Sequence, residues 1–240
     1  MDTIHLNQNF DRMIAHRGCS VLEQENTNAA FVAAGNRSYY GIETDVHLTK
    51  DNQFIIIHDE NPERVSGVST IVEESNFDDL RKIALKDLDG SFSRGDLMMP
   101  SLREYILICK KYEKKAVLEI KNPMPKEAIA RIIDIVRDEG WLSETIFISF
   151  ALENLVMLRE ILPEQPAQYL VENVFADDLI PTLLKYKLDL DIDMVLLTRE
   201  RVEELHRHGI LVNCWTVDTL EDAQRVLDFG VDFITSDALE

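Results

Sequence analysis

Three short apolar runs of this chain end on residues suited to charge and proton chemistry rather than to packing. "MIAHRG" ends on His16 and Arg17, "GIETDVHL" carries Glu43 and Asp45, and "AVLEIK" carries Glu119 and Lys121. Side chains alternate faces along a strand, so Glu43 shares a face with Asp45, and Glu119 with Lys121. Acids on a strand are commonly its solvent side, and Glu119 with Lys121 also has the makings of a local ion pair. In a sheet covered on both faces these acids are buried, and burial without a counter-charge is costly. A metal ion or a cluster of basic groups offsets that cost. Three carboxylates with water suit Mg²⁺ or Ca²⁺ rather than a softer metal. The planar donors of Arg17 match phosphate oxygens, and Lys121 is suited to face a phosphate. His16 and His58, both following apolar runs, belong to a residue type that titrates near pH ~6.5 and passes protons near neutrality. His5, His47, His206 and His208 have no comparable context and read as structural or surface residues. Trp215, in "VNCWTVD", reads as a core aromatic or as an apolar wall against a substrate.

A hairpin brings some of these groups together. In "GIETDVHLTKDNQFIIIHDE" the pair Asp51-Asn52 offers a two-residue turn. With those residues at its centre, Lys50 pairs with Gln53 and Asp45 falls directly opposite His58. A slip of one residue turns one member away, so the expectation depends on the turn.

The elements that must hold these residues follow from the hydrophobic pattern. Strands are predicted at Arg12–His16, Gly41–Leu48, Ala116–Lys121, Thr145–Phe150, Ala167–Val171, Leu188–Asp193, Leu211–Val217 and Asp232–Thr235. Helices are predicted at Thr27–Asn36, Leu102–Tyr112, Lys126–Asp138, Leu152–Glu160, Asp178–Tyr186, Arg199–His208 and Leu220–Phe229. This α/β alternation predicts a closed (β/α)8 TIM-type barrel, with an open doubly wound sheet as the other arrangement. Barrel active sites gather at the carboxyl ends of the strands, where His16, Arg17, Glu119 and Lys121 lie. The sequence ends soon after the eighth strand, so no final barrel helix is predicted, and residues 1–11 are the segment available to cover that end. Residues 59–98 are polar and turn-rich, with a short helical candidate at Asp78–Ile83. They read as a small insertion after the second strand, within one domain spanning 1–240.

Composition narrows the function classes. With 44 acidic and 25 basic residues the 240-residue chain carries a formal charge of −19, which argues against nucleic acid or an anionic membrane surface as partner. The three cysteines have no metal-type spacing and are odd in number, so no disulfide framework is expected. Neither a signal peptide nor an apolar run of the ~20 residues needed to cross a bilayer is present, so stable membrane insertion is not expected and a cytoplasmic enzyme is. Oligomeric state is not legible.

From about Met13 to its end the chain resembles the glycerophosphodiester phosphodiesterase family. The motifs that carry the likeness are "AHRG", "ENT", "GIETDVHLTKDNQFIIIHD", "LEIK" and "CWTVD". The resemblance implies a (β/α)8 barrel with a small insertion after its second strand. It implies His16 and His58 as the catalytic pair, Arg17, Lys121 and Trp215 as substrate-binding residues, and Glu43, Asp45 and Glu119 as ligands of a divalent metal ion, Mg²⁺ or Ca²⁺. Glu25 and Asn26 match an element that supports the site. Gln24 stands where the family usually has proline. The implied reaction is hydrolysis of a small-molecule glycerophosphodiester to sn-glycerol 3-phosphate and an alcohol. Two other readings use the same residues. One is a phospholipase-like phosphodiesterase acting on lysophospholipids or another phosphodiester, with Leu97, Met98 and Met99 as an apolar mouth. The other is a non-catalytic barrel that binds a phosphodiester or metal; retention of two histidines speaks against it.

Overall fold

The computed structural model describes residues 2–6 and 9–240. Nine strands form one sheet: β1 (Met13–Ala15), β2 (Gly41–Leu48), β3 (Phe54–Ile56), β4 (Lys115–Ile120), β5 (Thr145–Ser149), β6 (Ala167–Val171), β7 (Asp189–Asp193), β8 (Val212–Trp215) and β9 (Phe233–Ser236). All except β3 pair in parallel, and β1 bonds both β9 and β2, which closes an eight-stranded barrel. The eight predicted strands are these eight, within two residues at each end.

The helices are α1 (Asn28–Gly35), α2 (Glu63–Ser66), α3 (Phe77–Leu80), α4 (Leu102–Lys111), α5 (Lys126–Asp138), α6 (Leu152–Ile161), α7 (Leu179–Tyr186), α8 (Arg199–Arg207) and α9 (Leu220–Phe229). Their starts are chemically marked. Thr27, Thr198 and Thr219 accept from backbone N–H groups of the first turn, and Ser101 forms a reciprocal capping box with Glu104. The main apolar core lies between the strands' outer faces and these helices. Inside the barrel, Ile14, Val117, Ile146, Ile148, Leu170 and Phe233 form a second apolar cluster. Ile4 bridges Leu239, so part of the 1–11 segment lies along the chain end beyond β9; Met1, Asn7 and Gln8 lie outside the described residues. Among the described residues no helix is long and apolar enough to cross a membrane.

The hairpin register differs from expectation by one residue. Val46, His47 and Leu48 face Ile56, Ile55 and Phe54. The loop therefore has three residues, Lys50 to Asn52, and Ile57 rather than His58 comes opposite Asp45. The cause is local. Asn52 adopts the left-handed region at φ +59°, and Thr49 Oγ1 donates to Asp51 Oδ1 (2.6 Å) while accepting from Gln53 N–H (2.9 Å). These bonds favour the longer loop over the two-residue turn. His58 is past the end of β3, where the strand's alternation no longer dictates its direction. Its carbonyl accepts from His47 Nε2 at 3.3 Å, so His47 is a buried strut rather than a surface residue.

Residues 59–98 form α2, α3 and connecting turns over the carboxyl end of β2 and the hairpin. The helical candidate at Asp78–Ile83 is the four-residue α3. Leu97 and Met99 do not form an apolar mouth: they are buried with Val65, Val72, Leu80 and Leu85 against Ile55 and Ile57.

The turn after β1 is a tight joint. Gly18 has φ +82°, and a Cβ there would meet Ala30 Cβ at 2.7 Å. Both the left-handed backbone and the lack of space reject a side chain. Gly18→Ala should destabilise the protein by about 2–4 kcal/mol, combining left-handed strain with overpacking. Urea denaturation measures this; a midpoint equal to wild type would contradict it.

Candidate active site

The carboxyl ends of the strands surround a cavity of about 280 Å³ lined by residues of β2 and β4–β9 and the chain following β1 and β3, including His16, Arg17, Glu43, His58, Glu119 and Trp215. Beside it Glu43, Asp45 and Glu119 converge, each offering an oxygen within 4.8 Å of the others. They are 3%, 1% and 6% exposed, so the acids of β2 and β4 are buried rather than solvated. Parallel pairing sets them side by side, with Asp45 directly facing Glu119.

Electrostatics divides the three. Burial, then the charges of Asp45 and Glu119, pushes Glu43 well above the usual carboxylate range. Burial and Asp45 push Glu119 up to about 8. Burial acts on Asp45 as well, but Lys121, His58, Arg17 and the Asn26 hydrogen bond outweigh it and hold that carboxyl low. Lys121 Nζ bridges Glu119 (2.9 Å) and Asp45 (3.3 Å), so it is engaged with the acids rather than standing apart from them. Backbone carbonyls of Lys121 and Asn122 accept from buried Asn154 of α6, which fixes the chain after β4. A set of hard oxygen donors, crowded and short of positive charge, fits a divalent cation.

Both cavity histidines have an aspartate on Nδ1. His16 Nδ1 lies 2.8 Å from Asp237 Oδ1, and His58 Nδ1 lies 2.8 Å from Asp59 Oδ1. Such a partner fixes ring orientation and leaves Nε2 for other work. Burial, against the pull of Asp45, lowers the pKa of His58. Asp59 also accepts from Arg64 Nε (2.7 Å). Arg64 in turn donates two bonds to Glu25, and Glu25 accepts from Arg17 Nη1 (2.9 Å). An unbroken polar chain thus joins His58 to Arg17 through the 59–98 segment.

"ENT" braces the site from below. Asn26, left-handed at φ +54°, donates to Asp45 Oδ2 (2.7 Å) and accepts from Thr44 Oγ1 (2.7 Å). Glu43 Oε2 accepts from Arg17 N–H at 2.8 Å. Trp215 stands edge-on to Phe150, with ring centroids 5.8 Å apart, on the opposite wall. The structure thus brings all ten sequence-predicted residues to one end of the barrel.

Sequence reading missed Asp59, Asp237, Arg64, Asn154 and Asp191. Asp191 of β7 lines the cavity, and burial together with Glu119 raises it well above the usual range, against a hydrogen-bonding contribution from Asn213. Its signal was present, since "DLDID" alternates acids with apolar residues as "GIETDV" does.

A sequence model of the "Glycerophosphoryl diester phosphodiesterase family" matches residues 16–240. The chain belongs to this family. A glycerophosphodiester phosphodiesterase of Caldanaerobacter subterraneus is 28% identical over 230 residues, covering 94% of this chain and 93% of the relative. Human lysophospholipase D GDPD1 is 23% identical over 266 residues, covering 95% and 83%. An Oleispira antarctica phosphodiesterase, solved in complex with the product sn-glycerol-3-phosphate, superposes with a TM-score of 0.85 at 24% identity, covering 95% and 93%, which shows the shared fold.

The carboxylate cluster has a thermodynamic signature. Glu119 in the unfolded chain loses its proton near 4.5, but in the folded, metal-free protein only near about 8. Between those values the unfolded chain holds fewer protons, so stability falls as pH rises, and levels off above about 8 for this group. In chelator, Glu119→Gln should flatten the fall in melting temperature across that window. An unchanged slope would contradict the assignment.

Proposed function

We propose that the protein hydrolyses glycerophosphodiesters to sn-glycerol 3-phosphate and an alcohol, dependent on a divalent cation, Mg²⁺ or Ca²⁺, with His16 and His58 as the acid–base pair. The observation that carries the reading is two aspartate-held histidines on the wall of one cavity that also holds Arg17 and borders three converging carboxylates. The family's activity and the product bound by the Oleispira relative point the same way.

Glu43, Asp45 and Glu119 would hold the cation, which supplies positive charge where the transition state gains negative charge. Arg17 adds planar donors to the phosphate oxygens, and Glu25 keeps its guanidinium in place. Lys121 contributes further positive charge at the same rim. With Nδ1 of each histidine committed to its aspartate, Nε2 exchanges the proton. One imidazole takes it from the nucleophile and the other gives one to the leaving alkoxide. Either water or the glycerol's own hydroxyl serves as nucleophile in this scheme. Residues 59–98 belong to the same catalytic unit, because Arg64 links the partners of His58 and Arg17.

A second reading, cleavage of acylated diesters, draws on one observation. A groove of about 360 Å³ shares Phe150, Leu170 and Glu172 with the cavity and continues past Tyr169, Val174 and Leu179. Its apolar lining suits a longer leaving group than choline.

Glycerol 3-phosphate release from glycerophosphocholine, glycerophosphoethanolamine and lysophosphatidylcholine, with and without each divalent cation, tests both readings. Turnover of the short diesters that stops in chelator is expected; none with any cation would overturn the proposal, and preference for the lysolipid would favour the second reading. His16→Ala and His58→Ala should each lower kcat/KM by about 10²–10⁴-fold. Near-wild-type activity in either would remove that histidine's role.

Arg64→Ala leaves Asp59 and Glu25 without their shared partner. A smaller loss, about 3- to 30-fold, is expected, in keeping with one or two charged hydrogen bonds acting through other residues. A loss as large as that of the histidine variants would place Arg64 at the reacting atoms instead.

A further inference from the structure

A second cavity, of about 450 Å³, opens at the other end of the barrel, where the strands begin. Nothing in the reaction proposed above uses it. The amino end of such a barrel ordinarily serves stability. Ile146 and Phe233, both part of the inner apolar cluster, close this cavity off from the barrel interior. Side-chain alternation turns Arg12, Lys115 and Gln168 into the mouth, in phase with the inner residues Ile14, Val117 and Leu170.

The charge at this mouth runs against that of the chain. Arg12, Lys115, Arg159 and Lys187 line it against Glu144, Glu164 and Asp189, whereas acids outnumber basic residues 44 to 25 overall. Lys115 is paired with Glu144 (2.6 Å) and Lys187 with Glu164 (2.7 Å), while Arg159 commits its donors to backbone carbonyls. The Arg12 guanidinium has no acid or hydrogen-bond partner among the described residues; it lies 5.3 Å over the Phe233 ring.

Gln168 stands on the opposite wall, since β6 is four strands from β1 in either direction around the barrel. It is 2% exposed. A hydrogen-bonded column decides which way its amide points. Thr235 Oγ1 donates to Asn213 Oδ1 (3.2 Å), so Asn213 presents Nδ2 to Gln168 Oε1 (3.3 Å). Gln168 Nε2 is left at the cavity with no acceptor among the described residues. A buried donor without an acceptor is rare and costly to keep. Asp189 lies beside Gln168 in register; its Oδ1 accepts from Leu211 N–H (2.9 Å), and its second oxygen has no partner among the described residues.

We propose that the amino-end cavity is a second small-molecule site, which takes a small anion carrying hydroxyl groups: a polyol phosphate or a hydroxy acid. The anionic group pairs with Arg12, whose planar donors match carboxylate and phosphate alike. A hydroxyl at the other end of the ligand meets the Gln168–Asp189 wall, where it accepts from Nε2 and donates to the carboxylate oxygen, since a hydroxyl does both. An uncharged polyol leaves Arg12 unmatched, and an alkyl acid leaves Gln168 unmatched, so the site selects for both features together. The volume lies within the range of small-ligand sites.

Calorimetry on the cation-loaded protein tests this with probes of equal chain length: gluconate, sorbitol 6-phosphate, sorbitol and hexanoate. At least one of the two hydroxylated anions should bind with Kd below about 1 mM, and sorbitol and hexanoate at least about tenfold more weakly. Which anion binds identifies the anionic group. Arg12→Gln, at an exposed position, should weaken binding about tenfold or more while melting with wild type. Gln168→Glu keeps an acceptor for Asn213 but replaces the unpartnered donor with an anion, and should weaken binding at least as much; Gln168→Met is measured in its place if that variant does not fold. Binding at the carboxyl-end cavity would be untouched by these substitutions. Failure of both anions to bind below about 1 mM, equal binding of sorbitol or hexanoate, or an affinity that either substitution leaves unmoved overturns the inference.

Discussion

Mutual repulsion among three buried carboxylates is the constraint around which this site is arranged. Glu43, Asp45 and Glu119 share a space less than 5 Å across, each nearly inaccessible to water. Parallel pairing of β2 with β4 forces that proximity, because it sets Asp45 beside Glu119 in register. The remaining site residues respond to it. Lys121 spans two of the acids, Asn26 donates to the one held lowest, and the Arg17 backbone donates to Glu43. Even so two of the three stay raised, so the protein's own cations do not neutralise the cluster. A chain carrying −19 overall has concentrated positive groups at this rim and still left room for one more charge.

The second layer makes the geometry rigid. His16 and His58 follow two different strands, yet each is oriented by an aspartate at the same distance. The His58 side is tied to the Arg17 side through Asp59, Arg64 and Glu25. That link explains why a polar segment of short helices is folded over this end of the barrel, with its own apolar cluster holding it against the hairpin. The site therefore depends on local burial far from the reacting atoms.

Much of this was legible in the sequence. The eight barrel strands are apolar runs rich in Val, Ile and Leu, and helix starts carry explicit caps at Thr27, Ser101, Thr198 and Thr219, so both element types announce themselves. The hairpin register did not. Asp51-Asn52 is compatible with loops of two or three residues, and the choice fell to the Thr49 hydroxyl and the left-handed Asn52. Asp237 was invisible as a partner of His16 because 221 residues separate them. Arg64 lies in a stretch whose composition reads as solvated surface. Asp191 carried the same alternating signal as Glu43 and Asp45, but without a nearby histidine or arginine to lend it a chemical role.

Cation binding by the carboxylate cluster is the claim on which the functional account turns. Titration of metal-stripped protein with Mg²⁺ and with Ca²⁺, followed by calorimetry in buffers of different ionisation enthalpy, measures it most directly. The account predicts a single cation bound per chain, with proton release that is larger near pH 7 than above about 9, as the raised acids give up their protons, and loss of binding in Asp45→Asn. Absence of binding by either ion, or binding undiminished in Asp45→Asn, would contradict it.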